Sequence, residues 1–160
     1  MNEAQKQQLV IALRASADAT IVSLLAARAD EMLMNYINDK ATPAVKAWKT
    51  NVPTNDSDDA PDYSTYDALQ AGKRDSWNLF LRAPRDFTRN KVRKWITDVW
   101  GNATAASNAE AILNAGVENA RRVEVLIGGS NASTGTVTAM KRDFEGPIGL
   151  QELSIALSTY

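Results

Sequence analysis

Over most of this chain, apolar residues recur at three- and four-residue spacing, the period of a helix with one buried face. The first forty residues read as helix throughout. Ser16 or Asp18 caps a segment in which Ile21, Leu24 and Leu25 share a side, and Asp30 caps another with Met32, Leu33, Tyr36 and Ile37 together. Thr42-Pro43 repeats the start signal, with threonine as cap and proline where its missing N–H costs nothing. A short helix is therefore expected from Pro43 to about Lys49, placing Val45 and Trp48 at i, i+3. Pro53 disfavours helix at the residue before it, so Val52 should be extended.

Residues 55–65 read NDSDDAPDYST, with few apolar side chains and several chain breakers, and are expected to form a loop. Thr65 and Gly72 frame a short helical turn. Trp77, Phe80 and Leu81 then predict a helix ending at Ala83-Pro84, and Val92, Trp95, Ile96 and Val99 form one stripe over 90–99. Ser107-Asn108-Ala109-Glu110 has the S-x-x-E form of a capping box. Behind it Ile112, Leu113, Val117, Ala120, Val123 and Ile127 carry the helical period to a stop at Gly128-Gly129. A strand pattern comes only near the end, over 135–145, before Gly146-Pro147 turns the chain into a closing helix at 149–158. The expected fold is mainly α: a single-domain helical bundle over 1–160 with one short β-strand or hairpin near the C-terminus.

Composition narrows the chemistry. With 160 residues, 44% of them hydrophobic and 23% charged, the chain has the make-up of an ordinary globular protein. It contains no cysteine, which removes thiolate chemistry, disulfides and cysteine-ligated metals, and no histidine, the commonest general base and zinc ligand at neutral pH. The run Leu9-Val10-Ile11-Ala12-Leu13 is far short of the roughly 20 residues that span a bilayer, and it lacks the basic flank of a signal peptide. No membrane partner is expected, and folding in a cytoplasm is.

The net charge of −1 conceals two opposed blocks. Asp56, Asp58, Asp59 and Asp62 have no cation among them, whereas Arg82, Arg85, Arg89, Lys91, Arg93 and Lys94 face only Asp86, a net +5. Such blocks point to contacts between charged surfaces rather than bulk attraction to nucleic acid. The aspartates lack the glycine and distal glutamate of a calcium loop, so a solvated acidic loop is the simpler reading. Gly128, Gly129 and Gly135 follow a helix and precede a strand, the reverse of a phosphate cradle. The basic segment, interleaved with Phe87 and Trp95, can grip phosphates and offer a ring to a base. Its apolar spacing fits better a helix whose solvent side is basic, and the same side can meet an acidic patch on another subunit. Trp77 and Trp95 sit at core spacing, while Trp48 and Trp100 lie beside chain breaks and are the better interface candidates. No nucleophile motif or carboxylate pair stands at a recognisable spacing. No enzyme, cofactor, metal or small-molecule substrate is expected.

Several ordered blocks resemble a family of small tailed-bacteriophage proteins encoded among virion structural genes. Thr42-Pro43-Ala44-x-x-x-Trp48-Lys49-Thr50-x-Val52-Pro53 is similar to the T/S-P-A-x-x-x-W-R/K-T-x-V-P signature of that family. Gly72-Lys73-Arg74-Asp75-x-Trp77, the basic Arg121-Arg122, and Phe144-Glu145-Gly146-x-Ile148-x-Leu150-Gln151-Glu152-Leu153 continue the likeness. The chain departs from the family at Val45-Lys46-Ala47, at Ile127-Gly128-Gly129-Ser130 and in its acidic loop. The resemblance implies a non-enzymatic component of the virion, assembled in a bacterial cytoplasm. By analogy of size and helical content with connector (adaptor) proteins, it implies a cyclic homo-oligomer between portal protein and tail or neck proteins, with packaged DNA in its channel. A capsid decoration or tail component is the alternative within that class. A nucleic-acid-binding accessory protein is the alternative outside it.

Overall fold

The computed structural model describes residues 1–101 and 106–160. In chain order the helices are α1 (Glu3–Arg14), α2 (Ala19–Ala26), α3 (Asp30–Asn38), α4 (Thr54–Asp58), α5 (Ala71–Phe80), α6 (Asn90–Trp100), α7 (Ala106–Ala115), α8 (Arg122–Ile127) and α9 (Leu150–Thr159), with a 3-10 helix at Tyr63–Ala68. The strands β1 (Lys46–Trp48), β2 (Val117–Asn119), β3 (Gly129–Thr134) and β4 (Val137–Arg142) form one sheet in the order β2-β1-β4-β3. This corrects the expected helical bundle with a single strand or hairpin: the fold mixes helices with a four-stranded sheet. Two compact units divide the chain. Unit 1 comprises Met1–Val45, Asn119–Ser130 and Arg142–Tyr160, and unit 2 comprises Lys46–Glu118 and Asn131–Lys141.

Of the three strands not expected, β3 lies just ahead of the strand expected over 135–145, and β1 and β2 have a common cause. A helix of seven residues, as expected over 43–49, has little stability of its own. As a strand between two others, Lys46–Trp48 pairs parallel with β4, Ala47 opposite Met140, and buries Ala47 and Trp48 completely. The antiparallel β2 claims the other edge: Lys49 donates its N–H to the Gly116 carbonyl at 2.9 Å. The Gly116 N–H still closes α7 on Leu113 O at 3.1 Å, but its carbonyl is taken by Lys49, so the long helix expected from Ser107 to Ile127 is two helices with β2 between them. The β3–β4 connection over Gly135-Thr136 is a tight hairpin with positive φ at Gly135.

Gly116 also sits where no side chain fits. A Cβ there would lie 1.9 Å from Cδ1 of the buried Phe87 ring. Gly116→Ala is expected to cost between about 1 and 3 kcal/mol in urea unfolding, since the ring must leave its place. A loss below a few tenths of a kcal/mol would show that the ring has room to move.

Unit 1 packs around Leu9, Leu13, Leu33, Ile37, Ile127 and Leu153. The Asp18 carboxylate caps α2, accepting the Thr20 N–H at 2.9 Å, as its position predicts. Asp30 is the first residue of α3 rather than its cap, and Met32, expected inside, is 64% exposed. The carbonyls left open at the end of α3 are met by two arginines: Arg121 donates to Asn38 O at 2.6 Å and Arg122 to Tyr36 O at 3.0 Å. The Arg122 guanidinium also lies 4.2 Å from the Tyr36 ring centre. The Asn38 amide both donates to Ile148 O and accepts the Ile148 N–H, each at 2.9 Å.

At the centre of this polar work is Glu124, whose side chain is 2% exposed. It accepts N–H groups from Arg121 at 2.7 Å and Gly146 at 2.8 Å, and pairs with Arg142 at 3.2 Å. Arg142 reaches Glu145 as well, at 2.7 Å. Gly146 takes φ +104, a conformation that L side chains rarely adopt.

Unit 2 packs around Trp48, Trp77, Phe87, Ile96, Trp100 and Ile112. The stripes of α5 and α6 hold in part: Trp77 and Phe80 are buried on one and Ile96 and Val99 on the other, while Leu81, Val92 and Trp95 are only partly buried. Val52 is extended, exchanging two backbone hydrogen bonds with Arg85 at 2.8 and 3.1 Å. The expected loop at 55–65 instead contains α4 and the start of the 3-10 helix, with Asp62 accepting the Ser64 N–H. Ser107 lies inside the first turn of α7 and so is not its cap; the residue preceding Ala106 lies outside the described residues. The neighbouring Asn108 carries the polar role there, accepting the Asp62 N–H and donating to Asp62 O and Thr65 Oγ1.

Candidate functional site

The basic segment separates into three kinds of residue. Arg93 is 3% exposed, contrary to the expected solvent side: it donates to Phe87 O at 2.6 Å and Thr134 Oγ1 at 3.0 Å, with its guanidinium 4.7 Å from the Trp48 ring centre. Burial lowers its pKa from the ordinary arginine value, against the pull of Asp86. Arg85 is half-buried and closes the end of α5, donating to Phe80 O and Leu79 O, both at 2.9 Å. Arg89 and Lys94 are exposed but engaged, with Asp86 and Asp98. Arg82 and Lys91 are exposed and make no ion pair among the described residues. The +5 of the sequence is thus not one continuous patch.

Trp77 is in the core as expected, and the other three tryptophan assignments change. Trp48 and Trp100, the expected contact residues, are both 0% exposed, which corrects them to core. Trp48 is held in the middle of the sheet with its indole N–H bonded to Ala132 O at 2.9 Å. Trp100 ends α6 beneath Tyr63 and Tyr66 of the 3-10 helix, whose ring centres lie 6.5 and 6.3 Å away. Trp95, expected in the core, is only partly buried and lines a groove.

That groove lies between α5 and α6, with a volume of about 370 Å³. Leu79, Phe80, Val92 and Trp95 form its apolar lining, and Arg85 and Lys91 supply cations. Its floor is a stack of rings: Phe80 on Trp95 at 4.7 Å and 5°, and Trp77 behind Phe80 at 5.2 Å and 11°. Leu79 projects with 53% of its surface exposed. Leu79 and Ser76 were not singled out in the sequence, and Phe80 was read there only as part of the buried face of α5. A signal for Leu79 was present, because Leu79-Phe80-Leu81 are consecutive apolar residues on a helix and 100° steps cannot aim all three inward.

The acidic block is exposed at Asp56, Asp58 and Asp59. Asp56 meets Lys49 Nζ at 3.4 Å, and Asp58 accepts the Tyr63 hydroxyl. Asp59 makes no ion pair among the described residues. The Tyr63 hydroxyl in turn accepts the indole N–H of Trp77 at 3.1 Å. Burial first, and the Asp58 carboxylate second, push the Tyr63 phenol up to about 12, so it is neutral through the physiological range. Tyr63 is 42% exposed.

No group of three or more acidic side chains that could hold a metal ion occurs among the described residues, and no single helix among them is long and apolar enough to cross a membrane. No protein-family model, curated protein or solved structure matches the chain.

Proposed function

We propose that this chain is a non-enzymatic structural protein of a tailed-bacteriophage particle, joining head to tail as a closed ring of identical copies between portal and tail or neck proteins. The observation that carries the reading is the set of ordered sequence blocks that resemble such virion proteins. The residues of those blocks build this fold. Trp48, Val52 and Trp77 lie in the core of unit 2. Arg121 and Arg122 close α3, Glu145 pairs with Arg142, and Gly146 takes the left-handed turn that lets its N–H reach Glu124. A family that shares these residues would share this scaffold. The groove between α5 and α6 adds surface chemistry suited to a protein contact: an aromatic floor, an exposed leucine and two cations.

A ring uses heterologous contacts, one face of each copy meeting a different face of the next. Charge reversal at Arg93, attractive from the sequence alone, would report on folding and not on such a contact, because that side chain is buried. The experiment is genetic. Deleting the coding sequence from the phage genome is expected to leave filled heads and finished tails that fail to join. Infectious particles of normal morphology without the chain would overturn the connector role.

A further inference from the structure

We propose that the groove between α5 and α6 is a socket for a second copy of this chain, which inserts its acidic segment 55–63. This deepens the proposed ring by assigning both halves of its contact, and it rests on that reading.

Three observations converge on one occupant. The first is unspent charge. Arg82, three residues past Leu79, and Lys91 in the groove wall are exposed without an ion pair among the described residues. Asp59 is exposed in the same condition, and Asp58 is engaged only by a neutral phenol. Both aspartates stand exposed at the end of α4, next to each other in sequence, so an outside cation is favoured there.

The second is matching apolar surface. The groove offers Leu79, Val92 and a face of Trp95, and the acidic segment ends in Tyr63, whose ring is 42% exposed. The Tyr63 hydroxyl is already satisfied by Trp77 and Asp58, so burying the outer ring edge strands no polar group.

The third is placement. Groove and acidic segment both belong to unit 2, so a single compact body carries socket and plug. Because they are different surfaces, the contact is head-to-tail, and such contacts close into a ring when the rotation per copy permits.

The test uses the purified full chain in two charge-reversed forms. One carries Arg82→Glu with Lys91→Glu on the socket. The other carries Asn55→Lys with Asp59→Lys on the plug, which spares the Lys49–Asp56 pair. Asn55 and Asp59 stand at i, i+4 and share the exposed side of α4. Sedimentation velocity over a concentration series is expected to show the wild-type chain associating, more weakly as salt is raised. Each variant alone is expected to associate more than about tenfold more weakly. An equimolar mixture of the two is expected to recover association, because each reversed socket then meets a reversed plug. Unchanged thermal unfolding by circular dichroism separates lost contact from lost fold, and Leu79→Ser, which adds no charge, is expected to weaken association through the apolar side of the same groove.

Three outcomes would overturn the socket: a wild-type chain that remains monomeric, variants that associate as the wild type does, or a mixture no better than its components. Binding of a single-stranded oligonucleotide that Lys91→Glu abolishes, with the wild type monomeric, would assign the groove to nucleic acid instead. The two proposals fail separately. Variants that still assemble, from a chain required for head–tail joining, would remove the socket alone. Variants that behave as stated, from a chain dispensable for joining, would remove the connector role alone.

Discussion

Arg93→Glu is expected to be among the most damaging single substitutions in the chain, removing about 4 kcal/mol or more of folding free energy in urea titration. The guanidinium is buried against the Trp48 ring and donates to Phe87 O and Thr134 Oγ1. Those bonds fasten α6 to the segment that precedes it and to the end of β3. A glutamate would set a carboxylate against a backbone carbonyl in a site closed to water, losing two charge-assisted hydrogen bonds and adding repulsion. Arg93→Met keeps most of the stem and the contact with Trp48 but leaves Phe87 O unanswered. It should cost less, about 1–3 kcal/mol. The same reversal at Lys91, two residues away and exposed, should leave stability within about 0.5 kcal/mol of the wild type. Near-equal effects at 91 and 93 would contradict the burial assigned to Arg93.

In unit 1 the corresponding position is Glu124. Glu124→Ala is expected to cost about 3–5 kcal/mol, because it leaves Arg142 as a buried cation and frees the N–H groups of Arg121 and Gly146. Glu145 remains on Arg142, and its partly exposed carboxylate offsets a fraction of the loss. Glu124→Gln keeps the shape and one strong acceptor, so it should fall between alanine and wild type. Hydrogen exchange would show where the damage lies: faster exchange at Gly146 and Ile148 than at Trp77 or Phe80, if the loss is centred in unit 1. A change below about 1 kcal/mol for Glu124→Ala would contradict a buried, fully engaged carboxylate.

The sequence made the helices legible wherever side chains declared a face. The α5 and α6 stripes emerged because Trp77 with Phe80, and Ile96 with Val99, repeat at helical spacing and have no competing use. Asp18 could be read as a cap because its carboxylate acts on its own next turn. The sheet was hidden for the opposite reason. β1 and β2 are three residues long, too short for an alternation to register, and each exists only through hydrogen bonds to distant chain. Gly116 within an apolar helical pattern was the visible clue that the long helix breaks, but the groups that act on it, the Lys49 N–H on its carbonyl and the Phe87 ring where a Cβ would stand, are far away in sequence.

The candidate site was legible in charge and not in depth. The opposed blocks at 56–62 and 82–94 are real features of the sequence, yet one in six of those basic residues is a core residue, because helical position and not charge decides which way Arg93 points. Trp48 and Trp100 misled through their neighbours: adjacency to prolines or glycine is a property of the chain, whereas exposure depends on what packs above. For Trp48 that is a sheet strand and an arginine, and for Trp100 it is two tyrosines from the 3-10 helix. The groove arose from the residues flanking the buried stripes, a boundary that apolar periodicity alone leaves undrawn.

The proposed connector role requires that this polypeptide be present in the particle in a fixed number of copies. If the chain is a phage protein as proposed, quantitative mass spectrometry of purified particles tests this most directly. A small fixed number of copies per particle, as a closed ring requires, is the predicted result. Absence from the particles would contradict the account, and several hundred copies would make the chain part of the shell instead of the joint.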